Sequence, residues 1–137
     1  MFGFNNWFKI ADALVPASAE VVKDEVFFCA DAIKAQIEAN GQVVTGFMRD
    51  SVYAATVNES SYGQGVAPPK GAYRLPEVKP ANDQQGVVGV AANYGVYQDL
   101  GTRYMPAHPF FDAGLAQGAA HYDTAMATME ARIKARL

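Results

Sequence analysis

Apolar residues recur at helical spacing in two long stretches, and between them the pattern breaks into short alternating runs. In the first stretch Val22, Val26, Cys29, Ile33 and Ile37 form one stripe, the spacing of a helix with a single buried face. The pattern predicts Ser18 as its N-cap and Asn40-Gly41 as its stop. A short polar side chain satisfies the first free amides, and glycine accepts the left-handed conformation past the last turn. Glu20, Lys23, Asp24, Asp31, Lys34 and Glu38 fall on the other face, a mixed charge set that reads as solvated or subunit-facing. The second helix is expected from Pro109 to the C-terminus, with Phe111, Leu115, Ala119, Tyr122, Met126, Met129, Ile133 and Leu137 in one stripe. Asp112 near its start and Arg132, Lys134 and Arg136 near its end complement the helix dipole. Gly114 and Gly118, one turn apart, predict a flat patch open to close approach by another backbone. Each costs about 1 kcal/mol relative to alanine in an isolated helix, so tight packing is the expected compensation.

Ahead of these, Phe4, Trp7, Phe8, Ala11, Leu14 and Val15 have helical spacing that Pro16 is expected to halt. Residues 1–16 therefore read as a short amphipathic helix, either folded back on its own core or reaching a neighbouring subunit as an apolar arm. After Gly41, a Thr-Gly turn and a run rich in Val, Tyr and Thr favour a strand from about Met48 to Asn58. Met48, Val52 and Ala54 would share one face, and Arg49, Ser51 and Tyr53 the other. Residues 60–85 hold many of the prolines and little periodicity, which predicts a long loop with a short strand around Ala72 to Leu75. In a monomer this loop would be mobile; in a ring it could order against the next protein. Lys70, Arg74 and Lys79, interleaved with Tyr62 and Tyr73, raise contact with passing DNA as one reading. Glu77 and Asp83 dilute that charge and favour an ordinary polar loop. The following GVVGVAAN is apolar or small on both alternating faces, the mark of a strand covered on two sides, with Gly89 at a bulge or close backbone approach. Cover by helices on one face alone would imply a partner chain on the other.

The segment YGVYQDLGTRYMPAHPFFDAGL, from Tyr94 to Leu115, is the most distinctive in the chain. Tyr94, Tyr97 and Leu100 repeat every three residues, consistent with a tight helical turn or two ended by Gly101. Thr102 and Arg103 lead into a loop stiffened by Pro106. Pro109 pushes His108 out of the helical region and suits a first helical position itself.

At 137 residues with 50% hydrophobic content, the chain fits one domain spanning 1–137. A net charge of −3 gives no electrostatic reason to bind naked nucleic acid or an acidic membrane. The lone Cys29 cannot close an internal disulfide and reads as an inert core thiol. No run reaches the ~18 apolar residues that cross a bilayer. Ile10 to Val15 followed by Ala17-Ser18-Ala19 mimics a signal peptide, but Asp12 and Pro16 interrupt it and no charged leader precedes it, so the expected origin is cytoplasmic.

Catalysis finds little footing. Only His108 and His121 could serve as imidazole bases, and no nucleophile elbow, Walker loop or dinucleotide fingerprint occurs. Gly63 and Gly65 lack the strand-to-helix context that phosphate binding requires. His108, Asp112 and His121 match no compact zinc spacing. No enzyme activity, cofactor or metal is expected. Asp99 and Asp112 have a simpler use as partners of Arg103 or Arg49, in the same subunit or the next.

The Tyr94–Leu115 segment resembles the signature of a family of tailed-phage proteins, the tail-completion or head-tail joining components of siphophages. In that signature a tyrosine turn leads to Glu-x-Gly-Thr and then Pro-Phe-Leu opening the last helix. Gly101-Thr102, Met105 and Pro109-Phe110 are the sharpest matches; Asp99 stands where the family has Glu, and Phe111 where it often has Leu. Thr45, Gly46, Met48, Arg49, Ser51 and Val52 echo a second family segment, Thr-Gly-x-Leu-Arg-x-Ser-Ile. The resemblance implies an α+β subunit, with a small antiparallel sheet packed by a long helix in the N-terminal half and a long C-terminal helix, and an extended loop or hairpin between strands. It further implies a structural virion protein assembled in the host cytoplasm as a homo-oligomeric ring, six-fold or twelve-fold, at the neck. Its partners would be neck, connector and tail proteins, with DNA passing through the lumen and no membrane. The expected interface is Tyr94, Tyr97, Leu100, Gly101, Thr102, Arg103, Met105, Pro109, Phe110 and Phe111. The alternative is a regulatory protein-binding module outside any virion, with the aromatic segment as a peptide groove.

Overall fold

A computed structural model describes the backbone of residues 4–43 and 45–136, and the side chains of 18–43 and 45–135. The architecture is α+β: a two-stranded antiparallel sheet packed against a long N-terminal helix and a long C-terminal helix. Helix α1, Phe4–Ala39, is continuous through Pro16, so neither the expected break there nor the N-cap at Ser18 exists. A proline deletes one backbone hydrogen bond and crowds the preceding turn, but helical propagation on both sides outweighs that local loss. Ser18 instead donates from Oγ to Gln84 Oε1 at 2.6 Å. The other end is as expected. Gly41, at φ 70°, turns the chain, its amide bonds the Glu38 carbonyl, and the Gln42 amide reaches Ile37, the paired pattern of a glycine-terminated helix.

Helix α2, Phe47–Ser51, replaces the first part of the expected strand. Gly46, at φ 84°, reverses the chain, Thr45 Oγ1 accepts the Phe47 amide, and the Asp50 amide bonds the Gly46 carbonyl. Helical spacing sends Phe47, Met48 and Ser51 inward together, which alternation along a strand would forbid. Strand β1 is confined to Val52–Ala55 and pairs with β2, Val87–Val90, from Val52 opposite Val90 to Ala55 opposite Val87.

Both faces of this sheet are covered by the chain itself. On one face Val52, Ala54 and Ala92 join Ala30, Ile33 and Ile37 of α1 with Phe47, Met48 and Phe110 in the main core. On the other, Tyr53, Ala55 and Ala91 form a smaller cluster with Tyr62 and Val87. The 60–85 segment is therefore a second layer held to the sheet, which corrects the expectation of a loop awaiting a neighbour. Tyr62 stands edge-on to Tyr53 at 5.2 Å and its hydroxyl donates to the Leu75 carbonyl; the Val78 amide donates to the Tyr53 hydroxyl at 3.0 Å. The Tyr53 ring lies against Gly89, the close approach expected of that glycine. Arg74 donates to the Val66 carbonyl and lies 5.5 Å over the Phe47 ring, so this candidate DNA contact is turned inward. The Asp50 carboxylate, chiefly through the Val66 amide and then Arg49, is held below its ordinary pKa. Near Ala72–Leu75, an isolated bridge joins Arg74 to Ala92, flanked by bonds from Leu75 to Ala91 and from Asn93 to Tyr73.

Helix α3 spans Gly95–Leu100 and α4 spans Phe111–Arg136. Helix α4 runs antiparallel to α1, with Gly114 against Ile33, Gly118 against Cys29, His121 on Glu25, and Arg132 paired with Glu20 and Asp24. The buried face is thus Gly114, Gly118 and Ala125, while Leu115 and Tyr122 of the expected stripe are exposed. Hydrophobicity pointed to the larger residues, but two helix backbones approach most closely where side chains are smallest. Burial, followed by the Glu25 carboxylate beside it, pushes the Cys29 thiol above its ordinary pKa. It stays a protonated packing group. No described helix is long and apolar enough to cross a membrane.

Candidate functional site

The site with the most local design is the turn from Tyr94 to Phe111, which links β2 to α4. Its floor is fixed from below. Tyr94 is half-buried, tilted against Phe47 with ring centroids 6.2 Å apart. Burial raises its phenol pKa against the opposing effect of a hydrogen bond with the Met48 backbone. Gly95, Gln98 and Asp99 turn toward the body, whereas Val96, Tyr97 and Leu100 share the opposite face of α3. Gly101, at φ 78°, ends the helix with its amide on the Tyr97 carbonyl. A side chain there would meet the Ala107 backbone nitrogen at 2.7 Å, so glycine is required by conformation and by space.

Beyond it, Thr102 and Met105 exchange backbone hydrogen bonds at 2.8 and 3.3 Å, closing a tight turn whose tip carries Arg103 and Tyr104. Tyr104 is further tied by its amide to Thr102 Oγ1, and the Arg103 guanidinium lies 5.5 Å from its ring. Gln98 holds the return strand: its carbonyl accepts the His108 amide at 2.9 Å and its side-chain amide reaches Met105 Sδ. Asn40, at the end of α1, donates to the Pro109 carbonyl at 2.8 Å.

Asp99 has a role that charge pairing did not foresee. One oxygen, Oδ1, accepts the amides of both Phe110 and Phe111, at 3.0 and 3.1 Å. The carboxylate of α3 caps α4 across an eleven-residue separation, satisfying amides that have no partner within their own helix and placing negative charge at the positive end of its dipole. Asp99→Ala is expected to cost ~1 kcal/mol of stability, within the 0.5–2 kcal/mol range of lost caps. Asp99→Asn should retain most of it. Urea denaturation of the three proteins measures both, and equal losses for Ala and Asn would show that charge rather than hydrogen bonding dominates.

The ten expected interface residues divide by exposure. Leu100 is 71% exposed and Tyr97 56%, and Thr102, Arg103 and Pro109 are also on the surface. Gly101 and Met105 are half-buried parts of the turn. Phe110, only 1% exposed, is sealed in the core. It anchors the segment from beneath and contributes no outer surface, which corrects its assignment as a contact residue. Phe111 is half-buried and lines a groove of about 260 Å³ with Leu75, Val90, Ala92 and Val96. Two residues the sequence reading passed over complete the patch: Tyr104, 88% exposed, and Val96, 53% exposed. The available signal for Tyr104 was its position, a large aromatic ring at the tip of a turn bounded by Gly101 and Pro106.

The histidines are not brought together. His108 lies exposed on the turn beside a polar cleft lined by Asn40, Gln42, Thr45, Tyr94 and Gln98. His121 stacks on Phe28 at 4.0 Å and bonds Glu25 at 2.9 Å within the helix pair. Asp112 is exposed in the first turn of α4. Among the described residues no group of three His, Cys, Asp or Glu is arranged to hold a metal ion. The turn is braced from within and presents Val96, Tyr97, Leu100 and Tyr104 to solvent beside the groove lined by Phe111. Comparison of the chain with family models, curated proteins and solved structures finds no match.

Proposed function

We propose that this protein is a structural virion component of a tailed bacteriophage, a subunit that self-associates into a ring at the head-tail junction and completes or joins the tail. The observation that carries the reading is the outward display of Val96, Tyr97, Leu100 and Tyr104 on a turn braced by Gln98, Asp99, Gly101 and Asn40. A solvent-facing turn gains nothing from such side chains, and large apolar groups displayed on one braced turn suit a contact surface. Rigid bracing also reduces the ordering entropy that association would otherwise oppose. Each contact supplies roughly 25 cal/mol per Å² of apolar area removed from water, and repetition round a closed ring turns modest contacts into a durable joint. The resemblance of Gly101-Thr102, Met105 and Pro109-Phe110 to the joining-protein signature supplies the choice of a phage neck over other assemblies.

Sedimentation velocity of the purified protein, with and without its phage neck and tail partners, tests this. Self-association or incorporation into the neck is expected. Leu100→Asp should abolish ring formation and incorporation into the neck while leaving the circular dichroism spectrum intact, because Leu100 is 71% exposed and lies outside the core clusters. A stable monomer that joins no particle, and that binds a short peptide through the same patch, would instead establish a regulatory binding module.

A further inference from the structure

The sheet has one open edge, and its geometry specifies what can close it. In the β1–β2 ladder the Ala91 amide bonds the Ser51 carbonyl, while Ala54 turns its backbone outward to Ser61. With Val52 opposite Val90 and Ala54 opposite Val88, alternation along an antiparallel ladder directs the backbone groups of Val88 and Val90 away from β1. Ser60 and Ser61 cover the outer edge of β1. Tyr73–Leu75 pair with Ala91–Asn93 through the Ala91 carbonyl and the Asn93 amide, which by the same alternation face the β1 side. Pro76, which has no amide hydrogen, follows, and the chain then crosses to the Tyr53 hydroxyl at Val78. Among the described residues, nothing pairs with the outward N–H and C=O groups of Val88 and Val90.

Open edges in monomeric proteins carry charges, prolines or inward-twisting bulges that discourage pairing. The Gly86–Asn93 run, GVVGVAAN, has no charge and no proline. We infer that this edge pairs with the same edge of a second copy, β2 antiparallel to β2, joining two sheets across a two-fold axis. The occupant follows from backbone complementarity. Run antiparallel against itself, the edge sets outward N–H groups opposite outward C=O groups, because residues of the same parity meet. An uncharged edge also meets its own copy without repulsion, although the whole chain carries −3. The valine side chains of the incoming strand then lie beside the apolar groove formed by Val90, Ala92, Val96 and Phe111. This contact meets the α3 patch only at Val96, leaves Tyr97, Leu100 and Tyr104 outside it, and is self-complementary rather than head-to-tail.

Hydrogen exchange of the full-length protein over a range of concentrations tests it, read together with sedimentation. The amides of Val88 and Val90 should exchange freely in the dilute monomer and become protected as the two-fold pair forms. Those of Val87 and Gly89, which point toward β1, should be protected throughout. Val88→Pro removes an outward donor without touching the β1 ladder, and is expected to weaken pairing by roughly tenfold or more, since two symmetry-related bonds are lost. Should that variant fail to fold, the exchange profile of the native sequence still decides. Val88 and Val90 amides that stay unprotected while the protein associates would overturn the inference. So would protection that arises only on adding a different polypeptide. Leu100→Asp in the same series separates the surfaces: loss of association with that variant alone, and none with Val88→Pro, leaves the ring reading standing and rejects the edge contact.

Discussion

Phe110→Ala is expected to lower the unfolding free energy by about 3–5 kcal/mol, the cost of emptying a fully buried aromatic site. That is a large part of the roughly 5–15 kcal/mol that stabilises a typical domain. The ring is 1% exposed and packs where α1, the sheet and the start of α4 meet, with Ile33, Ile37, Phe47 and Val52 in the same cluster. Its backbone amide is also one of the two that Asp99 caps. Truncation therefore leaves a cavity under the very turn that presents Tyr97, Leu100 and Tyr104. Phe111→Ala removes a groove wall from a half-buried position and should cost distinctly less. Urea titration gives both numbers through the midpoint and slope. Similar losses for the two would mean that the aromatic pair does not divide into an anchor and a groove wall. The Phe110 variant should also assemble poorly, through a displaced turn rather than a lost contact.

Much of the fold was legible because its signals are local. The glycine at position 41 stops α1 at the expected place, Gly101 stops α3, and GVVGVAAN reads correctly as a strand covered on both faces. What the sequence pattern missed depends on tertiary context. A proline is a strong local breaker, yet α1 continues through Pro16. The apolar and β-branched residues after Gly46 favour a strand, yet adjacent Phe47 and Met48 enter the same core cluster, where strand alternation would send them to opposite faces. The 60–85 segment has no periodicity because it is held by particular hydrogen bonds, from Tyr62, Arg74 and Val78, rather than by a repeating face. At the candidate site the turn chemistry was readable, since glycine and proline act on their own backbone. Which aromatic ring points inward was not: Phe110 and Phe111 are adjacent and alike, and only the cap from Asp99 and the packing of α4 on α1 set their directions.

Gly114 and Gly118 are expected to respond differently to the same substitution. Intrinsic propensity favours alanine over glycine in a helix by about 1 kcal/mol, so any net loss measures crowding between α4 and α1. At Gly114 a methyl group would press on Ile33, including its backbone Cα at 2.7 Å and nitrogen at 2.8 Å. A main chain inside a packed helix cannot step aside, so the helices must separate, and Gly114→Ala should destabilise by ~1–3 kcal/mol or more. At Gly118 the methyl would overlap the sulfur of Cys29, while the Cys29 Cβ remains 3.5 Å away. Gly118→Ala alone should also destabilise, but Cys29→Ala removes the obstructing atom and the new methyl occupies the vacated space. The double variant should recover most of the loss, a coupling that a double-mutant cycle reads directly. Ile33→Ala should recover little of the Gly114→Ala loss, because the backbone contact survives truncation. Equal rescue at the two positions would place the closest approach in side chains alone, and α4 would then be free to pack on α1 without the glycine-to-backbone contact that fixes their register.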